Sequence, residues 1–354
     1  MRTGPILRAL VGAAISVAAL WFVLRGTDLA KTGDVLSHAD LRWAGLAVVL
    51  LSFDLGFRAL RWQRLLRPIA AVRYPPMLGY LLIGYLANNI LPARLGELVR
   101  SHYIGDREGI SRASALGTVV VERVVDLVAV VGIASVALLI LSVRGVVANA
   151  VFVGAGVAGL FLVVLALGIV AHRLPGADRA RDLIDRYPRV GDIARSLQGG
   201  LAVAGRPRTL AEAMLVSAAS WSMSILACAA IGQALGLQLS MGQAALISSG
   251  VALASAVPAG PSNLGTFELA AQELGKAVGI DAASALALGI LLHVSILVVT
   301  SVGGAIAFAR LGWRSEPAAS RPIGGGPAAN RAIAGAPAIA EPAPSDPPTS
   351  DPSA

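Results

Sequence analysis

From Leu215 to Leu235 the chain runs without a single charged residue. As a helix rising about 1.5 Å per residue, a stretch of that length matches the roughly 30 Å hydrocarbon core of a bilayer. Ala150–Ala171 is comparable in length and equally apolar. Composition agrees. Charged residues make up 14% of the chain and hydrophobic ones 56%, with a mean hydropathy of +0.72. A soluble domain would carry about a quarter charged residues. These features specify a polytopic membrane protein.

Full-length spans are expected near 9–24, 43–60, 115–142, 146–171, 210–236 and 282–309. Two further apolar segments, Met77–Leu91 and Gln243–Val257, reach only about 22 Å as helices. Each runs into a turn containing proline and glycine: Pro92 to Glu97, and Pro258 to Gly265. They read as re-entrant hairpins. The arginines favour that reading. With both segments re-entrant, the N-terminal side carries 23 basic residues and the opposite side five, with Arg123 inside a span. The positive-inside rule then places both termini in the cytoplasm. The first span resembles a signal peptide in length, but Trp21, Phe22 and Arg25 follow where a cleavage site would need small residues. An uncleaved first span is expected.

The fold class that follows is all-α: a membrane helix bundle of six full spans plus two re-entrant hairpins, with eight crossing segments as the alternative. Residues 1–142 and 143–314 repeat the same order of segments, with three crossings each, so the second half is inverted relative to the first. Paired interruptions in inverted repeats mark the binding site of many transporters. Residues 315–354, rich in Pro, Ala, Ser and Gly, are expected to be a disordered cytoplasmic tail.

The net charge of +8 is assigned to cytoplasmic loops facing anionic headgroups, not to nucleic acid. The lone cysteine, Cys228, excludes a disulfide framework. No nucleotide-binding, hydrolase or metalloprotease motif is present, and the histidines lack metal-ligand spacing. The expectation is no cofactor, no metal and no catalytic residue. Expected partners are membrane lipids, with self-association left open.

Candidate site residues cluster around the interrupted segments. Asn88 and Asn89 can cap the freed backbone of the break or contact a ligand. Arg94 can bind a phosphate bidentately or snorkel to the interface. Glu97 and Arg100 follow it. Glu122, Arg123 and Asp126 fall within a span, on neighbouring helical positions. They make either a functional ion-pair gate or a structural network that locks this helix to Arg94 or Arg100. In the second half, Asn263 sits in the turn and Glu268 corresponds to Glu97. Asp54 and Arg58 read as an interfacial pair, with Arg58 grouped with Arg61 and Arg64 at the cytoplasmic surface. His293 reads as a hydrogen-bonded packing residue more readily than as a proton carrier.

The run Asn88-Asn89-Ile90-Leu91-Pro92-Ala93-Arg94-Leu95-Gly96-Glu97-Leu98-Val99-Arg100, then Glu122-Arg123-Val124-Val125-Asp126, and later Pro258 through Glu268 resemble the lysylphosphatidylglycerol synthase transmembrane family, also called flippase-like or UPF0104. The resemblance covers about residues 1–310. In the second turn this chain has Ser262-Asn263 where the family more often has glycine. The resemblance implies a bacterial inner-membrane domain linked to moving lipids between leaflets. In bifunctional members a soluble domain transfers an aminoacyl group to phosphatidylglycerol; only a low-complexity tail follows Arg314 here, so that activity is not carried over. The leading expectation is a flippase-like transporter of a phospholipid or polyprenyl-linked lipid. The rivals are a membrane-embedded transferase on a lipid-linked substrate, with Glu97, Glu122 or Asp126 as acid or base, and an envelope scaffold that transports nothing.

Overall fold

The computed structural model describes residues 4–25, 27–91, 95–145, 198–255 and 260–312, with short helical stretches between 148 and 163. Among the described residues the regular elements are all helices, with no strands. In chain order the helices are α1 (Gly4–Arg25), α2 (Leu29–Ser37), α3 (Leu41–Leu66), α4 (Tyr74–Ile90), α5 (Gly96–Glu108), α6 (Arg112–Leu141), α7 (Pro207–Ala234), α8 (Met241–Ala254), α9 (Thr266–Ala277) and α10 (Ala282–Leu311). Of these, α3, α6, α7 and α10 are long and apolar enough to cross a membrane, and α1 with α2 makes a fifth candidate if the two form one span. The expected spans near 43–60, 115–142, 210–236 and 282–309 thus correspond to helices. The 9–24 segment lies in α1. Most of the 146–171 segment, and all of the 315–354 tail, lie outside the described residues.

Local chemistry fixes the helix starts. Asp28, Asp40, Ser111, Ser240 and Asp281 each accept from a backbone N–H of the first turn, meeting donors that the helix leaves unpaired. At Asp281 a hydrogen bond with the Ser284 side chain, and Lys31 at 3.0 Å, hold the carboxyl down to about 2. A depressed carboxyl adds stability above its unfolded value and loses it as pH falls through the folded one. This cap should therefore persist until strongly acid pH.

The two short apolar segments are first arms of helical hairpins. α4 turns into α5, and α8 turns into α9 after a single 3-10 turn at Pro261–Asn263. The sequence reading counted the arginines after the first turn on the cytoplasmic side and named no helix there; residues 96–108 form α5, which buries Arg100 and Ser101. The second arm escapes hydropathy because its polar residues are paired inside the protein.

The packing has a recurring pattern. α3 lies along α7. α4 packs against α10 and α8 against α6; α5 packs against α6 and α9 against α10. Each hairpin is therefore wedged between α6 and α10. The two larger apolar clusters among the described residues lie at these contacts, beside a small third one at Leu65, Val121, Val203 and Ala213. One joins α7, α8 and α9 to the first half of α3 and the end of α6. The other joins α4 and α5 to the second half of α3 and the start of α6.

The first hairpin closes at Gly96. A Cβ there would lie 1.9 Å from the Gly84 carbonyl oxygen and 2.6 Å from Asn88 Oδ1, and the Gly96 N–H donates to that Oδ1 at 2.7 Å. Only glycine lets the two arms approach this closely. Gly96→Ala should destabilise the protein by more than the about 1–3 kcal/mol typical of overpacking. Gly84→Ala, whose Cβ would meet its nearest neighbour at 3.0 Å, should do less. Thermal unfolding in detergent gives the comparison; equal melting of the two variants would show that the arms can separate freely.

Candidate functional site

The long helix α3 carries Asp54, Arg58 and Arg61 at i, i+4 and i+7, one helical face. That face turns inward against α6 and α7. Arg61 is fully buried. Its Nη1 donates to Asp126 Oδ1 at 2.5 Å and to Ser217 Oγ at 2.9 Å, and its Nη2 to Asp126 Oδ2 at 2.8 Å and Glu122 Oε1 at 3.1 Å. The Asp126 contact is a bidentate fork of the kind guanidinium planarity permits. Glu122, also fully buried, lies 3.0 Å from Arg100 Nη1. That pair is misaligned for a hydrogen bond, leaving both Nη atoms of Arg100 and Oε2 of Glu122 without one. Arg100 compensates in part by lying over the Trp62 ring, 4.7 Å from its centre. Glu122 therefore ties α6 to both α3 and α5.

Asp54 and Arg58 depart from expectation. They form a pair at 2.9 Å, but it is buried instead of interfacial: side-chain exposures are 7% and 14%. Ser220 Oγ donates to Asp54, and Arg58 sits over the Trp221 ring at 5.3 Å. Arg58 and Arg61 are therefore not a solvated cluster; of the three arginines grouped there, Arg64 is the most exposed, near Glu212 at 3.5 Å. A hydropathy profile averages over the face of a helix and registers three charges near the end of a span as the start of a loop. The i, i+4, i+7 spacing was the available signal of an inward polar stripe.

Four arginines (58, 61, 100 and 123) thus meet three carboxylates (Asp54, Glu122 and Asp126) in direct contact. The most exposed of the four falls toward a cavity. Arg123 reaches Glu122 at 3.1 Å and Asp126 at 3.7 Å, but its side chain is 36% exposed and its Nε lacks a hydrogen-bond partner. Arg58, Arg123 and Asp126 line a cavity of about 590 Å³, which also touches both hairpins through Asn88 and Asn89 on one side and Ser262 and Asn263 on the other. A smaller, largely apolar chamber of about 180 Å³ shares Arg58, Tyr85 and Trp221 with it and extends between α3, α8 and α10. Neither the Tyr85 hydroxyl nor Trp221 Nε1 has a hydrogen-bond partner among the described residues. Buried polar atoms left this way carry a free-energy cost that a ligand or water can relieve.

The structure brings Asn88, Asn89, Arg123, Asp126 and Asn263 to the wall of one cavity. Glu97, Arg100, Glu122 and Glu268 stand behind it. Glu97 faces Asn88 Nδ2 at 3.5 Å. Asn89 donates to Thr300 and Ser301 at 2.9 and 3.0 Å, fixing the first hairpin to α10. The hairpins also meet each other, Ser262 Oγ donating to the Asn89 carbonyl at 2.9 Å. Ser262 and Asn263 hold φ of 56° and 59°, a left-handed conformation that Asn tolerates and Ser seldom adopts. Glu268 contacts His293 at 2.6 Å and the Gly265 N–H at 2.7 Å. Arg94, with Pro92 and Pro258, lies outside the described residues. Ser217, Ser220, Trp221 and Tyr85 are absent from the sequence reading, which named Arg61 only as part of a surface cluster and Ser262 only as a departure in the second turn.

Comparison with known proteins adds relatives to this geometry. Residues 9–304 match the sequence profile of the family described as the lysylphosphatidylglycerol synthase TM region. A protein of Haloferax volcanii named glycosyltransferase AglD is 26% identical over 329 residues, covering 83% of this chain and 53% of its own length. The chain thus spans about half of that relative. A protein of Pyrococcus horikoshii named UPF0104 membrane protein PH1989 is 24% identical over 324 residues, covering 83% of this chain and 94% of its own length.

Proposed function

Given that the chain belongs to the lysylphosphatidylglycerol synthase transmembrane family, we propose that it moves an anionic lipid, a phospholipid or a polyprenyl-linked lipid, between membrane leaflets. The observation that carries this reading is the joined pair of cavities. The larger offers Arg58 and Arg123 to a phosphate, and the smaller offers an apolar chamber beside it. A ligand with a charged head and a greasy body suits that division.

The exchange of partners between halves supports an inverted repeat. Residues 1–142 would supply α3 to α6, and 143–314 would supply α7 to α10. α4 on α10 mirrors α8 on α6, and both hairpin tips border the cavity where an alternating-access site would lie. The arginine bias supports cytoplasmic termini in a bacterial inner membrane. Moving Arg58, Arg61 and Arg100 out of the loop count still leaves 20 basic residues against five. Single cysteines at Ser37 and Ala71, exposed near opposite ends of α3, check the orientation. An impermeant maleimide should label Ser37→Cys from outside and Ala71→Cys only after permeabilisation; the reverse pattern would invert the topology.

The decisive test is reconstitution in liposomes carrying labelled phospholipid or polyprenyl phosphate, scored by the fraction reaching the opposite leaflet. Protein-dependent movement is expected; rates no higher than empty liposomes would remove the transport reading. The name of the Haloferax relative keeps a transferase on a lipid-linked substrate as the second reading. Against it, Glu122 is fully buried and Asp126 already accepts from Arg61 through both oxygens. A mass change in the labelled lipid would favour the transferase.

A further inference from the structure

Behind the second hairpin tip, the contacts of one histidine require a hydrogen that a neutral imidazole beside a carboxylate does not supply. His293 projects from α10. Its Nδ1 lies 2.6 Å from Glu268 Oε1 and its Nε2 lies 3.0 Å from the carbonyl oxygen of Ser262. Both neighbours are acceptors, and a neutral imidazole has one N–H. The other carboxylate oxygen, Glu268 Oε2, already accepts from the Gly265 N–H at 2.7 Å. If Nε2 donates to Ser262, the 2.6 Å contact still needs a hydrogen between Nδ1 and Oε1. The pair is then either imidazolium with carboxylate or neutral imidazole with carboxylic acid. Both forms have zero net charge, and both hold the proton on the same contact.

We propose that the His293–Glu268 pair is a proton-binding site, and that proton loading and release there drive lipid movement through the adjoining cavity. The coupling rests on the transport reading above; the existence of the site does not. Release moves the proton from the Nδ1–Oε1 contact to a cavity water and leaves the pair with one negative charge. Loading takes it back from hydronium. No other bond forms or breaks. After release, His293 keeps one N–H for two acceptors. If it serves Ser262, an imidazole lone pair faces a carboxylate oxygen. If it serves Glu268, the Ser262 carbonyl loses its donor.

Either outcome bears on the place where the hairpins touch. Ser262 is the residue whose hydroxyl holds the Asn89 carbonyl of the first hairpin, and its left-handed backbone depends on its contacts. Protonation therefore ties the tips together, and release frees the second one. His293 lines the cavity, so the proton has a route to water. Phe267 stacks on the imidazole with centres 4.2 Å apart, a face that favours the charged ring. The close approach of α9 and α10 at Gly289, where a Cβ would lie 2.7 Å from the Ala271 Cβ, brings the pair within reach.

The ionisable groups around the pair are few. From α3 and α6, Arg58, Arg123 and Asp126 share the cavity wall, with Asp54 in the adjoining chamber and Tyr85 contributed by α4. α8 carries no charged residue. Elsewhere on α9, Glu273 and Lys276 pair with each other at an exposed position, and Lys31 of α2 pairs with Asp281 at the start of α10. Arg208 and Glu212 of α7 pair with each other at its first turns. Arg25 of α1 lies over Trp21. Arg310 is at the far end of α10. The charged groups that share the cavity with the pair are thus Arg58, Arg123 and Asp126.

Two measurements test the proposal on the full chain. In proton NMR of detergent-solubilised protein, a strongly deshielded N–H···O resonance is expected, present in wild type and absent from both His293→Gln and Glu268→Gln; its absence from wild type would overturn the proton site. In liposomes, lipid movement with an imposed pH gradient is compared with movement at equal pH. Wild type should be at least several-fold faster with the gradient, and both variants should show a ratio near one whatever their residual rate. Glu268→Asp, which keeps the carboxyl but shortens its reach, should retain a gradient response with its half-maximal pH displaced, a change that a structural role would not produce. A wild type that moves lipid equally in both conditions would overturn the coupling alone. A wild type that moves no lipid would overturn the coupling and the transport reading together, while the resonance still decides whether the proton is there.

Discussion

Arg61→Ala should be among the most destabilising single substitutions in the molecule, at about 3–5 kcal/mol. Arg61 is the common partner of Glu122 and Asp126, with all three at or near full burial. Removing it leaves two carboxylates facing each other in a site with little water, together with a void where the guanidinium lay. The remaining arginines compensate only in part: Arg100 is misaligned with Glu122, Arg58 stands 3.9 Å from Asp126, and Arg123 hydrogen-bonds Glu122 but stands 3.7 Å from Asp126. A loss of this size is a large share of the stability of an ordinary domain. Melting in detergent, followed by fluorescence or size exclusion, should show it as reduced yield and a lower transition temperature. Arg208→Ala is the control, because its partner Glu212 is met at a highly exposed surface and such pairs contribute little. Indistinguishable melting of Arg61→Ala and Arg208→Ala would mean that the buried network is not what holds α3 to α6.

Arg123→Ala should have the opposite profile, folding nearly normally but transporting poorly. Its side chain is 36% exposed and lines the cavity, and both of its carboxylate partners keep Arg61. A charged hydrogen bond to a lipid phosphate is worth about 1.5–3 kcal/mol, which corresponds to a ten- to hundred-fold fall in lipid transfer if that contact forms in the limiting step. Arg123→Lys should recover part of the rate, since an ammonium keeps the charge but lacks the planar fork. Arg58→Ala should also impair transfer, with a stability loss from exposing Asp54 that Arg123→Ala does not share. Liposome assays at matched amounts of folded protein separate these effects. Transfer by Arg123→Ala at the wild-type rate would remove this side chain from lipid recognition.

The sequence alone determined which segments are helical and apolar, because hydropathy and length are local properties. Leu215–Leu235 has too few polar groups to exist outside lipid or a large core, whatever surrounds it. The ends of the two short apolar segments, at Ile90 and Ala254, were legible for the same reason, since the shortness of each segment and the helix-breaking residues after it are written in one stretch of chain. The motifs at Asn88 to Arg100 and Glu122 to Asp126 carried the family in the same local way. Only the tertiary structure decided which charges are paired. Arg58 and Arg61 looked like a solvated basic cluster because their partners are distant in the chain: Asp126 is 65 residues from Arg61, and Ser217 is 156. Residues 96–108 gave no span signal because a helix with that many polar groups is stable in a membrane protein only when other helices receive them, as α3 and α6 do for Arg100. His293 looked like a packing residue until α9 placed Glu268 on one ring nitrogen and the second turn placed a carbonyl on the other. Electrostatic pairing in a low-dielectric interior acts between groups that folding brings together, so its energies, and the site built from them, depend on distances that no local stretch of sequence contains.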